Sequence, residues 1–134
     1  MHMSARKGRS GEAQLPVHFI FGLSDDTPEL DFTFSNYLAV HAAHVHLHPA
    51  NVLFHYHHTP RGKWWLHAQR LVHARRVRLR RSIFGRPLRR AAHRADVLRL
   101  QLLIELGGIY LDLDVVVLRP MAMLLRGAGF VIGR

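Results

Sequence analysis

Cysteine is absent from the 134 residues, which excludes a disulfide framework and any thiolate metal site and leaves the redox compartment open. No run approaches the roughly 20 uninterrupted apolar residues that a helix needs to cross a bilayer. Neither an HExxH spacing nor a Cys/His finger spacing occurs. Acid is scarce as well: nine Asp and Glu face nineteen Lys and Arg, a formal net charge of +10 with histidine neutral. The imbalance is local, because residues 61–94 hold twelve Lys or Arg and no acid. Such a block attracts the phosphates of nucleic acid, acidic lipid or a nucleotide, and it equally suits a solvated basic surface. Charge alone names no partner.

What is present is apolar. Hydrophobic residues make up 49% of the chain, enough for one domain with its own core and too many for wholesale disorder. The first fourteen residues, MHMSARKGRSGEAQ, carry basic groups with no apolar segment behind them. They read as a disordered leader rather than a signal peptide, which leaves residues 15–134 as the folded part.

The short β-rich run LPVHFIF (15–21), followed by the turn residues GLSDDTPE, predicts a first strand and loop. Phe34, Leu38, Ala42 and Val45 recur at helical spacing between about Phe32 and His46, and Pro49 lies just beyond. NVLFHYH (51–57) predicts a second strand, TPRG (59–62) a turn and KWWLHAQRLV (63–72) a short helix. VRLR (77–80) is a candidate third strand, and FGRP (84–87) breaks the chain. AAHRADVLRLQLLIEL (91–106) gives the clearest helix, with an apolar set wide enough to predict burial on most sides. Gly107 and Gly108 end it and permit a sharp turn into a strand, IYLDLDVVVL (109–118). GFVIG (129–133) would be a last strand; ending on a core strand suggests either a sheet edge or part of a longer protein. Strands alternating with helices point to an α/β class with a largely parallel sheet.

The unusual feature is GGIYLDLDVVVLRP (107–120), which sets Asp112 and Asp114 among apolar residues. Buried carboxylates need a cationic partner. Two residues apart on a strand, they would share a face and converge on one ion, with Leu113 facing the other way. A hard divalent ion such as Mg²⁺ or Mn²⁺ suits oxygen donors and takes few carboxylates, completing its shell with water and substrate phosphates. The plainer alternative is a pair of acids at a strand end that pairs with an arginine such as Arg119.

The wider stretch ADVLRLQLLIELGGIYLDLDVVVLRPM (95–121) resembles the DXD-containing sugar-binding region of family-32 glycosyltransferases. Upstream, LPVHFIFG, NYLAVHAAHVHLHPANVLFHY and PRGKWW are also similar to that family's segments, so the likeness covers about residues 15–133. It implies the N-terminal, donor-binding part of a GT-A (Rossmann-like) domain, a nucleotide-sugar donor and a divalent ion, commonly Mn²⁺. By position, Asp114 would bind the metal directly. Asp112 would contact the donor's ribose or sugar, or reach the metal through water. Asp96 and Arg99 match the family's Asp-x-x-Arg positions facing the donor, although an i,i+3 salt bridge is the plain alternative. His18 with Ile20 would line the nucleotide end of the first strand, though a lone histidine in an apolar strand is as readily a satisfied core residue. Gly108 would leave room for the sugar, and Tyr110 would pack beside the motif or touch the donor.

Two mild departures stand out: Ala95 replaces a serine frequent before the helix aspartate, and Phe21 stands where tryptophan is usual. A full GT-A domain is about twice this length, so acceptor recognition and the catalytic residues fall to no residue here. Eukaryotic relatives commonly sit in the Golgi lumen behind a membrane anchor, which would place this chain there if it shares their anchor. His41, His44, His46, His48, His55, His57 and His58 crowd together, but their spacing favours surface histidines over a zinc site. Two rival readings remain. One is a haloacid-dehalogenase-like phosphatase, which expects Gly-Thr where Val115 and Val116 stand. The other is a nucleic-acid-binding module built on residues 61–94, which lacks a finger or a recognition helix.

Overall fold

The structure is a computed structural model that describes residues 14–26, 30–121 and 129–133. Apart from Gln14, the expected leader lies outside the described residues. In chain order the elements are β1 (Val17–Phe21), α1 (Phe34–Leu47), β2 (Val52–Tyr56), α2 (Lys63–Ala68), β3 (His73–Arg76), β4 (Ser82–Ile83), β5 (Arg86–Pro87), α3 (Ala91–Leu106) and β6 (Ile109–Tyr110). Four strands form a parallel sheet in the order β3-β2-β1-β6. The α/β class and the parallel sheet agree with the sequence.

Alternation along the strands divides the sheet into two unlike faces. Val17, Phe19, Val52 and Phe54 join Phe32, Ala39, Val40, Ala43, Trp65 and Ala68 in the hydrophobic core. This face lies beneath α1 and α2. Thr33 starts α1 with a capping box, its side chain accepting from the Asn36 amide while Asn36 Oδ1 accepts from the Thr33 amide. His48, at φ 42°, closes the helix just before Pro49. The opposite face carries His18, Leu53, His55 and Tyr110, and α3 packs across β1 and β6 on this side.

Several boundaries differ from the sequence-based expectations. The third strand falls at His73–Arg76 rather than at 77–80, because its ladder runs along β2 from Leu53 to Tyr56 and ends where β2 ends. Helix α2 stops at Ala68. The stretch at 84–87 does not simply break the chain; it turns the two-residue hairpin between β4 and β5. The sixth strand is only Ile109–Tyr110, and residues 129–133 are not strand; among the described residues no ladder reaches them. Helix α3 is not buried on most sides: Leu100 is 56% and Ile104 84% exposed, and only Arg94 and Leu102 are buried. Its wide apolar set covers the sheet with one flank and faces solvent with the other.

Candidate functional site

In an open parallel sheet, ligands bind beyond the carboxyl ends of the strands where the strand order reverses. Here the chain leaves β1 toward β2 and β3 on one side and returns through α3 to β6 on the other. The reversal therefore falls between β1 and β6, and the aspartate motif begins two residues beyond the end of β6.

The route into that position is fixed at the glycine pair. Gly107 has φ 64° and ψ −163°, and Gly108 has φ 99°. A Cβ on Gly108 would run into the Pro16 carbonyl, so its missing side chain admits the neighbouring backbone. The expected room for a sugar is not on that side; over Gly107 the space is open. The carbonyl of Gly107 accepts from His18 Nε2 at 2.8 Å. With Nε2 donating, His18 Nδ1 accepts from His55 Nε2 at 3.1 Å. His18 is fully buried and His55 is 2% exposed. Burial chiefly pushes His55 down to about 4, with neighbouring His18 and Arg75 adding to it. Burial lowers His18 too, against the Gly107 carbonyl, which pulls the other way. Both imidazoles are thus neutral, and together they anchor the turn before the motif.

Asp112 and Asp114 are both exposed, while Leu111 and Val117 enter the core and Leu113 packs against it. The apolar run does not bury the acids, and no desolvation penalty arises. Nor do they share a strand face: Val115 N donates to the Asp112 carbonyl at 3.1 Å, so the pair sits in a turn. A strand needs a ladder, and among the described residues β6 has a partner only in β1, which it leaves after Leu111 N bonds the His18 carbonyl. Asn36 Nδ2, from α1, donates to the Leu113 carbonyl at 3.4 Å and ties the turn to the other face.

Four of the residues singled out in the sequence meet on the α3 side. Arg99 Nη2 donates to Asp96 Oδ1 at 2.6 Å, and its guanidinium lies over the Tyr110 ring, 4.8 Å from the centroid. Tyr110 in turn donates its hydroxyl to Asp112 Oδ1 at 2.6 Å. Burial, and after it that bond, hold the Tyr110 phenol above its ordinary value. Arg99 Nε is buried without a hydrogen-bond partner among the described residues. Ile20 is half-buried at the upper end of β1, on the His18 face.

Among the described residues no group of three or more His, Cys, Asp or Glu is placed to hold a metal. The motif offers two exposed carboxylates, one of whose oxygens already accepts from Tyr110. That donor set fits a hard divalent ion that draws the rest of its shell from water and phosphate. The histidines are not uniformly superficial: His41, His44 and His48 are exposed, but His55 is core. His57 Nδ1 donates to the Val77 carbonyl at 2.9 Å and His58 Nε2 to the Ser24 carbonyl at 2.8 Å.

Residues 21–130 match the family described as glycosyltransferase sugar-binding region containing DXD motif. The chain belongs to this family. The sugar-binding region thus includes β1's end, α3 and the Asp112–Asp114 turn, and the parallel sheet is consistent with a partial Rossmann-like GT-A fold. Over 108 residues the chain is 40% identical to glucan organizing enzyme 1 of Cryptococcus neoformans var. grubii serotype A, covering 78% of this chain and 29% of that protein. It therefore spans less than a third of the length of that curated relative. No solved structure matches the chain. Neither the phosphatase nor the nucleic-acid reading is favoured by these similarities.

Sequence reasoning missed two contributors to this glycosyltransferase region. His55 lies 37 residues from His18 and becomes its partner only through the β1–β2 register. Arg94, 5% exposed, donates to the carbonyls of Leu88 and Leu23 at 3.1 Å each and to Asp25 Oδ2 at 2.6 Å. It clamps the end of β1 to the start of α3. No local signal in the sequence marks either pair.

Proposed function

We propose that this region binds a nucleotide-sugar through a divalent ion, Mn²⁺ or Mg²⁺, and serves transfer of the sugar to an acceptor. Asp114 ligates the ion, with Asp112 beside it or joined to it through water. Asp96 and Arg99 face the sugar, Gly108 and Tyr110 shape the floor, and His18 and Ile20 hold the nucleotide end of β1. When bound, the ion acts as a Lewis acid that neutralises the diphosphate leaving group. The chain's own residues position the donor.

The observation that carries this reading is the linked series Asp96–Arg99–Tyr110–Asp112 beside the β1–β6 crevice. It preorganises one carboxylate of the motif and leaves Asp114 exposed. Arg99 Nε, buried without a hydrogen-bond partner among the described residues, supports it further, since such a donor costs about 1–3 kcal/mol that a ligand oxygen would offset. The relative's name ties that protein to glucan, which supports a carbohydrate product.

Titration calorimetry of the chain with UDP and with GDP, with and without Mn²⁺, tests the proposal. Binding should require the metal and be abolished by Asp114→Asn. Metal-independent binding of equal strength, or full binding by the variant, overturns it.

A further inference from the structure

The β4–β5 hairpin carries a residue that its own backbone disfavours. Ile83 pairs with Arg86, so the connecting loop is Phe84-Gly85, with φ 48° and 74°. Two successive positive φ values define a type I′ turn, for which Asn-Gly is the preferred sequence. A phenylalanine in the left-handed region is strained, and this one gains nothing from packing, being 96% exposed. Local stability would be served by asparagine. A bulky apolar residue held at a hairpin tip against both conformational and solvation preference points to a use for the side chain.

The surroundings give that use its chemistry. Arg78, Arg80, Arg81, Arg86, Arg89 and Arg90 flank the tip and are all exposed. Arg81 leans on Asp25 at 3.8 Å but remains 77% exposed. No acid occurs between residues 61 and 94. The hairpin is also fixed in direction. Leu88 N bonds the Arg81 carbonyl at 2.7 Å, and Arg94 ties Leu88 to Leu23 just after β1. In a parallel sheet this is the carboxyl edge, the one that also carries the Asp112–Asp114 turn.

We propose that the β4–β5 hairpin docks the protein on an anionic phospholipid bilayer, with Phe84 entering the interface and the flanking arginines meeting lipid phosphates. One inserted aromatic and one polybasic cluster are each weak anchors; together they give reversible binding that needs anionic lipid. Nucleic acid suits the tip less well. Single-stranded binding uses a groove in which several aromatics stack successive bases, whereas Phe84 is 96% exposed at a hairpin tip and no described ring stacks beside it. Docking in this orientation turns the sugar-binding edge toward the membrane surface. The proposal does not depend on donor or metal binding.

Co-sedimentation of the full chain with vesicles of pure phosphatidylcholine and of phosphatidylcholine with phosphatidylserine provides the test. The chain should pellet with the phosphatidylserine vesicles alone and be released as NaCl rises and screens the arginines. Phe84→Asn should bind at least about tenfold more weakly, yet melt at the same temperature or higher because asparagine suits the turn. Arg86→Ser with Arg89→Ser should also weaken binding, whereas Asp114→Asn should not. Equal binding to neutral vesicles, full binding by Phe84→Asn, or binding to RNA but to neither vesicle would overturn the proposal.

Discussion

The hydroxyl of Tyr110 donates to Oδ1 of Asp112 at 2.6 Å, from a ring that also carries the Arg99 guanidinium on its face. This bond sets one carboxylate of the motif before any ligand arrives. Tyr110→Phe keeps the ring and the Arg99 stack and removes only the donor. It should leave the melting temperature nearly unchanged and weaken Mn²⁺-dependent nucleotide binding about fivefold, the value of one hydrogen bond near 1 kcal/mol. Calorimetry on the two proteins checks it; unaltered affinity would remove the tyrosine from the site.

The glycine pair should respond unequally to alanine. Gly107 occupies a region that is essentially reserved for glycine, so Gly107→Ala should cost about 1–3 kcal/mol through backbone strain alone. Gly108→Ala adds a collision with the Pro16 carbonyl and should destabilise further, or prevent folding. Urea denaturation distinguishes the two. Equal losses would mean that β1 yields easily at Pro16.

Acid should weaken the fold through His18 and His55. Their ordinary value is 6.5, and in the native state His55 falls to about 4 while His18 is also lowered. Below pH 6.5 the unfolded chain takes up protons that the native chain refuses, so stability falls as pH drops toward about 4. Above pH 6.5 the pair contributes no pH dependence. The loss attributable to His55 is of order 2 kcal/mol, and His18 adds in the same direction. Melting temperatures from pH 7.5 to 4.5 for the chain and for His55→Phe measure it. An acid slope just as steep in the variant would exclude the pair as the cause.

Removing the Arg94 clamp should be costly. Arg94→Met leaves two buried carbonyls short of a donor, for a loss of about 2 kcal/mol or more, and leaves Asp25 without its closest cation. The guanidinium holds Asp25 below the ordinary carboxylate range, chiefly through its direct hydrogen bond. Asp25→Asn retains both carbonyl bonds and should lose less. Thermal denaturation of both variants gives the comparison, and a larger loss for Asp25→Asn would contradict it.

Local chemistry made much of this protein legible in one dimension. β1 and α3 were readable from periodicity and glycine placement, and the residues around Gly107 to Asp114 carried the family likeness. Hydrophobic pattern and turn chemistry act over a few residues, so they survive without coordinates. They failed where a neighbour decides. VRLR has β-rich composition, yet β3 lies four residues earlier because β2 is the partner that fixes its register. LDLDVVVL alternates like a strand, but among the described residues β6 pairs only with β1 and gives way to a turn.

The site divides in the same way. Which residues are chemically capable—two aspartates, the Asp96–Arg99 pair, a tyrosine and a glycine turn—was written in the chain itself. Tertiary structure alone decided that Tyr110 bonds Asp112, that His55 supports His18, and that Arg94 joins two ends of the fold. The last two span up to 71 residues of sequence, and only the sheet order brings their partners within hydrogen-bond reach.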